Sequence, residues 1–249
     1  MSNYVLTGTY TLPSLGKVYE PAINPEITLR SMTTEDEMRR LNSSERPLKV
    51  IADMIDDCMV EKSAISSYDM CLGDFQFLLH RLRVVTYGPK YKLDSACPYC
   101  GNVNKNTIDL DDIEVFEYSE ELQKYLDIDL PVCGRHIHLK MQTPRMLDDI
   151  SLKAKEMRKR ATSSEPVFLF SLMQAIDTID GIKYDIIKVE DFCRHLAMKD
   201  SNCIMQTIQK LNERVGLNLE LEMTCDLCGL TYESSFRQTG EFFGPSLDD

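Results

Sequence analysis

Cys97-Pro98-Tyr99-Cys100-Gly101 and Cys225-Asp226-Leu227-Cys228-Gly229 are two copies of one pattern, Cys-x-x-Cys-Gly. Together they supply four thiolates, the ligand number of a closed tetrahedral Zn²⁺ site. Each pattern turns the chain tightly, so both sulfurs of a pair face one point. The glycine after the second cysteine permits the backbone conformation that the turn requires. Residues 101 to 224 separate the copies, whereas local zinc fingers use much shorter intervals. Cys97, Cys100, Cys225 and Cys228 therefore read as a clasp that joins remote parts of the chain around one structural Zn²⁺. Closing so long a loop costs chain entropy, and the site points to architecture before chemistry. A four-thiolate site has no open coordination position, so catalysis at the metal is not expected. Thioredoxin-like redox motifs occur once, at a helix N-terminus. Two copies on turns favour metal over redox chemistry and over unpaired structural thiols.

Strand candidates flank each pattern. Tyr91–Asp94 leads into the first, and Asn104–Leu110 leads out. Leu217 to Met223 alternates apolar and polar residues, as a half-buried strand does, and delivers the chain into the second. Leu230–Phe236 leads out and can pair back. Two hairpins facing across a metal make a zinc-ribbon-like β module, and the predicted fold is α+β with helices around that module. The repetition suggests two related halves sharing one metal. The whole chain, 1–249, reads as a single domain. It has an extended N-terminal segment (1–30), a helical region (33–87), the first knuckle with a β region (91–142), a second helical region (143–216), and the second knuckle with a C-terminal tail (217–249).

Helix signals fill the rest. Thr34-Glu35-Asp36-Glu37 has the capping-box pattern, Pro47 opens a second helix, and Asp74 is placed to cap a third that stops at Tyr87-Gly88-Pro89. Further helices are expected over about 145–161, 166–177, 188–197 and 200–214. Asp180-Gly181 makes a short turn, and Cys133–Met141 is a strand with His136 and His138 on one face.

The 249 residues are 43% hydrophobic, enough for a real core. Nine cysteines, five of them scattered outside the knuckles, fit reduced thiols in a cytoplasm. There is no basic leader followed by an apolar run, and no segment approaches a membrane span. A net charge of −12 opposes broad nucleic-acid binding. The basic cluster Lys153, Lys155, Arg158, Lys159 and Arg160 shares its helix with Asp148, Asp149 and Glu156 and reads as a solvated face. The acidic stretch 111–126 reads as surface. His136 and His138 lack a placed metal partner and read as surface histidines. His80 follows an apolar stripe and reads as packed. Cys193 and His195 stand two apart on a helix and cannot face each other. No HExxH, P-loop, GxSxG or Rossmann glycine pattern is present. The aromatics Phe236, Phe242 and Phe243 either tuck into the core or dock on a partner.

Several segments, in order, resemble the baseplate hub and hub-assembly proteins of T4-like contractile-tailed bacteriophages. Leu12-Pro13-Ser14-Leu15-Gly16-Lys17-Val18-Tyr19 is similar to that family's opening "LPS-x-G-x-x-Y". Ile27 to Glu37 resembles its "v-x-i-R-p-m-t-x-x-E-E" stretch. Cys71-Leu72-Gly73-Asp74 through Arg83 to Tyr91 resembles the "vGDr…LR-x-x-tYGp-x-Y" segment that precedes its first CxxCG. Lys199-Asp200-Ser201 precedes a helix, a strand and the second CxxCG, and Phe242-Phe243-Gly244-Pro245-Ser246 resembles its closing Phe-Phe-x-Pro. Stretches 111–126 and 151–160 fall outside the resemblance, and the second knuckle lacks the proline often found after its first cysteine.

The resemblance implies a component or assembly factor of the phage tail baseplate hub, without catalytic turnover. Its partners would be other hub proteins, with no membrane and no nucleic acid, and homo-oligomerisation is left open. The place of action would be the host cytoplasm during assembly or the virion tail. Leu12–Tyr19 and Phe242–Ser246 are candidate contacts, being turn-rich, aromatic and near the termini. The alternative is a cytosolic nucleic-acid-binding zinc-ribbon protein. A third reading, a thiol- or metal-dependent enzyme, requires a low-pKa thiol or an open metal position.

Overall fold

The computed structural model describes residues 5–159, 166–236 and 240–243. Strand β1 (Thr7–Thr11) pairs antiparallel with β2 (Glu26–Arg30), and the alternation of β2 turns Ile27 and Leu29 into the interior. Helices α1 (Thr34–Arg40), α2 (Pro47–Cys58) and α3 (Leu72–Tyr87) follow. Gly88, with φ of 84°, ends α3 as expected. Next come β3 (Lys90–Ala96), β4 (Val103–Asp109), β5 (Val115–Phe116), the single turn α4 (Gln123–Leu126), β6 (Asp127–Asp129) and β7 (His136–Leu139). The second half holds α5 (Pro144–Lys159), α6 (Pro166–Ala175), β8 (Ile176–Ile179), α7 (Ile186–His195), α8 (Met198–Glu213), β9 (Gly216–Leu217), β10 (Glu220–Thr224) and β11 (Thr231–Ser235). The pairs β3–β4, β5–β9 and β10–β11 each form a two-stranded sheet, while β6–β7–β8 form a three-stranded one. The fold is α+β.

Buried apolar side chains gather into two large cores and a small third one. The first joins β1, β2, α2 and α3 to the C-terminal aromatics; the second joins β7, α5, α6, α8 and β8. The third consists of Cys97, Met223, Cys225 and Tyr232 between the two cysteine hairpins.

Buried aspartates stitch segments distant in sequence. Helix α2 has no side-chain cap of its own. Instead Asp148, on α5, accepts the N–H groups of Leu48 (3.4 Å) and Lys49 (3.0 Å) at the start of α2, and the Tyr68 hydroxyl (3.0 Å). Orphan donors of a helix N-terminus are thus met from 100 residues away. Asp74 works similarly and corrects an expectation: it does not cap α3. Cys71 stands at the cap, and Asp74 lies inside the first turn. The Asp74 carboxylate is buried and accepts Ser14 N–H (2.9 Å), Ser14 Oγ–H (2.5 Å) and Tyr19 O–H (2.6 Å).

That anchoring builds part of the first candidate contact segment into the core. Leu12, Pro13, Ser14 and Gly16 are buried, Leu15, Val18 and Tyr19 are half-buried, and Lys17 is exposed. The second candidate meets the same fate where it is described. Phe236, Phe242 and Phe243 are buried, with the Phe242 ring 5.6 Å from Phe236 and 6.1 Å from His80. Arg83 fixes them by donating Nε–H to the Phe242 carbonyl at 3.0 Å. Gly244 to Ser246 lie outside the described residues.

Other differences are local. The capping box is Thr33 with Asp36, one residue ahead of the predicted one, because Thr33 rather than Thr34 adopts the extended cap conformation. The predicted helix 166–177 gives way at Ile176 to β8, where buried Ile176 and Ile179 pair with β7. The block 143–216 is therefore not wholly helical. Within the acidic stretch 111–126, Ile113 and Leu122 are buried, so it is surface on one side only.

Candidate metal centre

The two cysteine patterns form hairpin tips with the same pairing and hydrogen-bond pattern. In the first, Ala96 pairs with Val103 and closes β3 on β4; in the second, Thr224 pairs with Thr231 and closes β10 on β11. The interval is seven residues in both. Cys97 N–H donates to the Asn102 carbonyl (2.8 Å), and Gly101 N–H donates to the Cys97 carbonyl (2.9 Å). Cys225 N–H donates to the Leu230 carbonyl (3.0 Å), and Gly229 N–H donates to the Cys225 carbonyl (2.9 Å). Gly101 and Gly229 have φ of 75° and 70°, the left-handed region in which a side chain is disfavoured.

The tips meet head to head. Cys97 Sγ lies 3.8 Å from Cys228 Sγ, and Cys100 Sγ lies 3.6 Å from Cys225 Sγ. All four sulfurs fall within 4.8 Å of one another, and all four are free thiols. The facing distances are far beyond the roughly 2.05 Å of a disulfide. They suit a tetrahedron of metal–sulfur bonds of about 2.3 Å, whose sulfur–sulfur edges are about 3.8 Å. Among the described residues this is the one cluster of three or more His, Cys, Asp or Glu residues with such geometry, and it could hold a metal ion. Cys97 and Cys225 are buried, and Cys100 and Cys228 are exposed. Cys225 Sγ accepts the N–H groups of Cys228 and Leu227, which hold its thiol down to about 6. A metal ion bound here would take its ligands as thiolates.

A polar network behind the sulfurs fixes one hairpin against the other. The buried Asn104 side chain, on β4, donates to the Tyr232 hydroxyl on β11 (2.9 Å) and accepts Asp226 N–H (3.0 Å). Ser95 Oγ on β3 meets the same Tyr232 hydroxyl at 2.6 Å. Asn102 donates to Asn104 (2.9 Å). Sequence reading missed Asn104 and Tyr232. Their only signal was polarity at inward positions of β4 and β11, which becomes visible once the register is known.

The remaining sulfurs and histidines do not converge. Burial pushes Cys58 and Cys193 up to about 12 and Cys71 higher still. Such thiols stay protonated. Cys193 is buried while His195 is exposed against the Asp191 carbonyl. His80 is packed, with Nε2 2.8 Å from the Leu110 carbonyl. His136 and His138 do have carboxylate partners, which the sequence reading had not placed: Asp129 at 2.9 Å and Asp127 at 2.8 Å, directly opposite on β6. Of the predicted basic face, Lys155 pairs with Glu45 and Lys153 lies over the Phe170 ring; Arg160 lies outside the described residues.

A family model described as "T4 bacteriophage base plate protein" matches residues 1–244 of the chain. No curated protein and no solved structure matches it. Among the described residues no helix is long and apolar enough to cross a membrane.

Proposed function

The chain belongs to the T4 bacteriophage base plate protein family, and on that premise we propose that it is a tail baseplate hub component or hub-assembly factor. The observation that carries this reading is the extent of the match: residues 1–244 take in both knuckles and both large cores. In this reading Cys97, Cys100, Cys225 and Cys228 hold one Zn²⁺, and the hairpins they close are a zinc-ribbon-like module. The metal supplies stiffness, since four protein sulfurs fill a tetrahedral ion's coordination. The protein works by contact with other hub proteins and not by turnover. It acts in the host cytoplasm during assembly or as part of the virion tail baseplate.

With Leu12, Pro13, Ser14 and Gly16 and the C-terminal phenylalanines buried, the knuckle tips are the better contact surface. Tyr99 is 63% exposed, Leu227 71%, Val103 56% and Leu230 50%. Apolar side chains so exposed on one rigid end suit docking onto another hub protein. The test is fractionation of hub intermediates from infected cells. The chain is expected to co-purify with them, and Tyr99→Ser/Leu227→Ser is expected to leave them while keeping its metal. Absence of the wild-type chain from every hub intermediate would sink the reading. Salt-sensitive retention on DNA or RNA columns would favour a nucleic-acid binder instead.

A further inference from the structure

Away from the cysteine hairpins, a cavity of about 160 Å³ opens between the end of β7, α5, α6 and the turn after β8. Three lysines line it: Lys140, Lys153 and Lys183. One carboxylate, Asp177, shares the lining and pairs with Lys183 at 3.1 Å. The cavity therefore carries a surplus of two positive charges in a chain whose net charge is −12. Lys140 is half-buried, and no hydrogen bond or ion pair holds its ammonium among the described residues. Burial, and the nearby charge of Lys183, lower its pKa despite the attraction of Asp177. Lys153 lies over the face of Phe170, at 5.8 Å. A half-buried ammonium that no anion contacts directly is costly. The rest of the lining is largely apolar and includes Phe170, Met173, Ile176 and Val189.

We propose that this cavity binds a carboxylate carried on a short aliphatic stem, with Lys140 and Lys153 as the charge partners and the Phe170–Val189 lining receiving the stem. The volume is that of about five water molecules, which suits such a group and excludes a nucleotide. Apolar lining with a few convergent charged groups is the composition of a ligand site. The same chemistry arises from a free small acid or from the chain end or acidic side chain of a protein partner. The inference does not depend on the hub reading.

Calorimetric titration of the metal-loaded full chain with butyrate, butylamine, and a tetrapeptide ending in leucine as free acid or amide tests it. Butyrate or the free-acid peptide is expected to bind, with butylamine and the amide silent. Tighter binding of the peptide acid assigns the site to a chain end, and binding of butyrate alone assigns it to a small acid. Lys140→Met, which preserves the stem's volume, is expected to weaken binding at least about ten-fold at unchanged melting temperature. Lys153→Gln should weaken it separately. Failure of both acids to bind, or undiminished binding by both variants, would overturn the proposal.

Discussion

The carboxylate of Asp200 accepts the backbone N–H of Cys133 at 3.1 Å, and that of Val132 at 2.7 Å. These two donors lie in Leu130-Pro131-Val132-Cys133-Gly134, a turn built like the knuckles. Gly134 N–H donates to the Leu130 carbonyl (3.0 Å), Leu130 N–H donates to the Arg135 carbonyl (2.9 Å), and Gly134 has φ of 66°. The turn has the knuckle's backbone, but leucine stands where the first cysteine would be. In the second knuckle the equivalent N–H groups, those of Leu227 and Cys228, point at the Cys225 sulfur. Here an aspartate on α8 supplies the negative charge instead. Asp200→Ala removes the acceptor from two part-buried donors, the N–H groups of the exposed residues Val132 and Cys133, and is expected to cost about 2 kcal/mol, with Asp200→Asn costing about half. Urea unfolding would measure both; equal stability of Asp200→Ala and wild type would show that the turn holds itself.

Metal removal should act locally first. The third core has only Cys97, Met223, Cys225 and Tyr232 as its buried members, too few to keep two hairpins together unaided. One zinc per chain is expected by mass spectrometry, and none in Cys97→Ser/Cys225→Ser. On chelation, amide hydrogens of β3, β4, β10 and β11 should exchange at least about ten-fold faster, while those of α3 stay protected. Loss of metal without any change in hairpin exchange would show that the Asn104–Tyr232 network suffices.

What could be read in the sequence divides by range. The knuckles, the Pro47 start and the Gly88 stop are written in residues adjacent in the chain, so local chemistry revealed them. The long-range anchors were not legible: nothing near Ser14 points to Asp74, and nothing near Pro47 points to Asp148. The Leu130–Gly134 turn was hidden because its defining cysteine is absent, and its acceptor lies 68 residues away. The buried parts of the candidate contacts were hidden for a related reason. Turn-rich aromatic segments near termini look free until the carboxylate or guanidinium that holds them is located.

Stability should also depend on pH through His80. Its Nε2 donates to the Leu110 carbonyl, its buried Nδ1 has no partner among the described residues, and burial depresses its pKa to about 4 from the ordinary 6.5. Above pH 6.5 the ring is neutral in both folded and unfolded chains and contributes no pH dependence. As the pH falls below 6.5 the unfolded chain binds a proton that the folded chain refuses until about pH 4, and stability drops by an amount on the order of 3 kcal/mol. The metal centre also loses ligands to protons, so the comparison must be between variants. His80→Gln keeps a donor for Leu110 without titrating. Its stability should fall less steeply than wild type between pH 6.5 and 4.5, and parallel curves would refute the assignment.

The closest backbone approach among the glycines with φ-independent constraints joins the two large cores. A Cβ on Gly73, in the first turn of α3, would stand 2.0 Å from the Val215 carbonyl oxygen, just before β9. Gly216 faces it from the other side, with φ of 122° and room for a Cβ only 2.7 Å from the Gly73 Cα. Both obstacles are backbone, so neither can rotate away. α3 carries the first core and Val215 belongs to the second. Gly73→Ala must push them apart, at a cost of about 3 kcal/mol, or roughly 6–12 °C in melting temperature for a chain of this size. Gly101→Ala meets no atom within 4 Å and strains only its own left-handed backbone, so it should cost about 1–2 kcal/mol. A thermal melt of the two variants side by side separates the mechanisms. If Gly73→Ala melts no lower than Gly101→Ala, the helix–strand contact is looser than its geometry and the two cores can slide past each other.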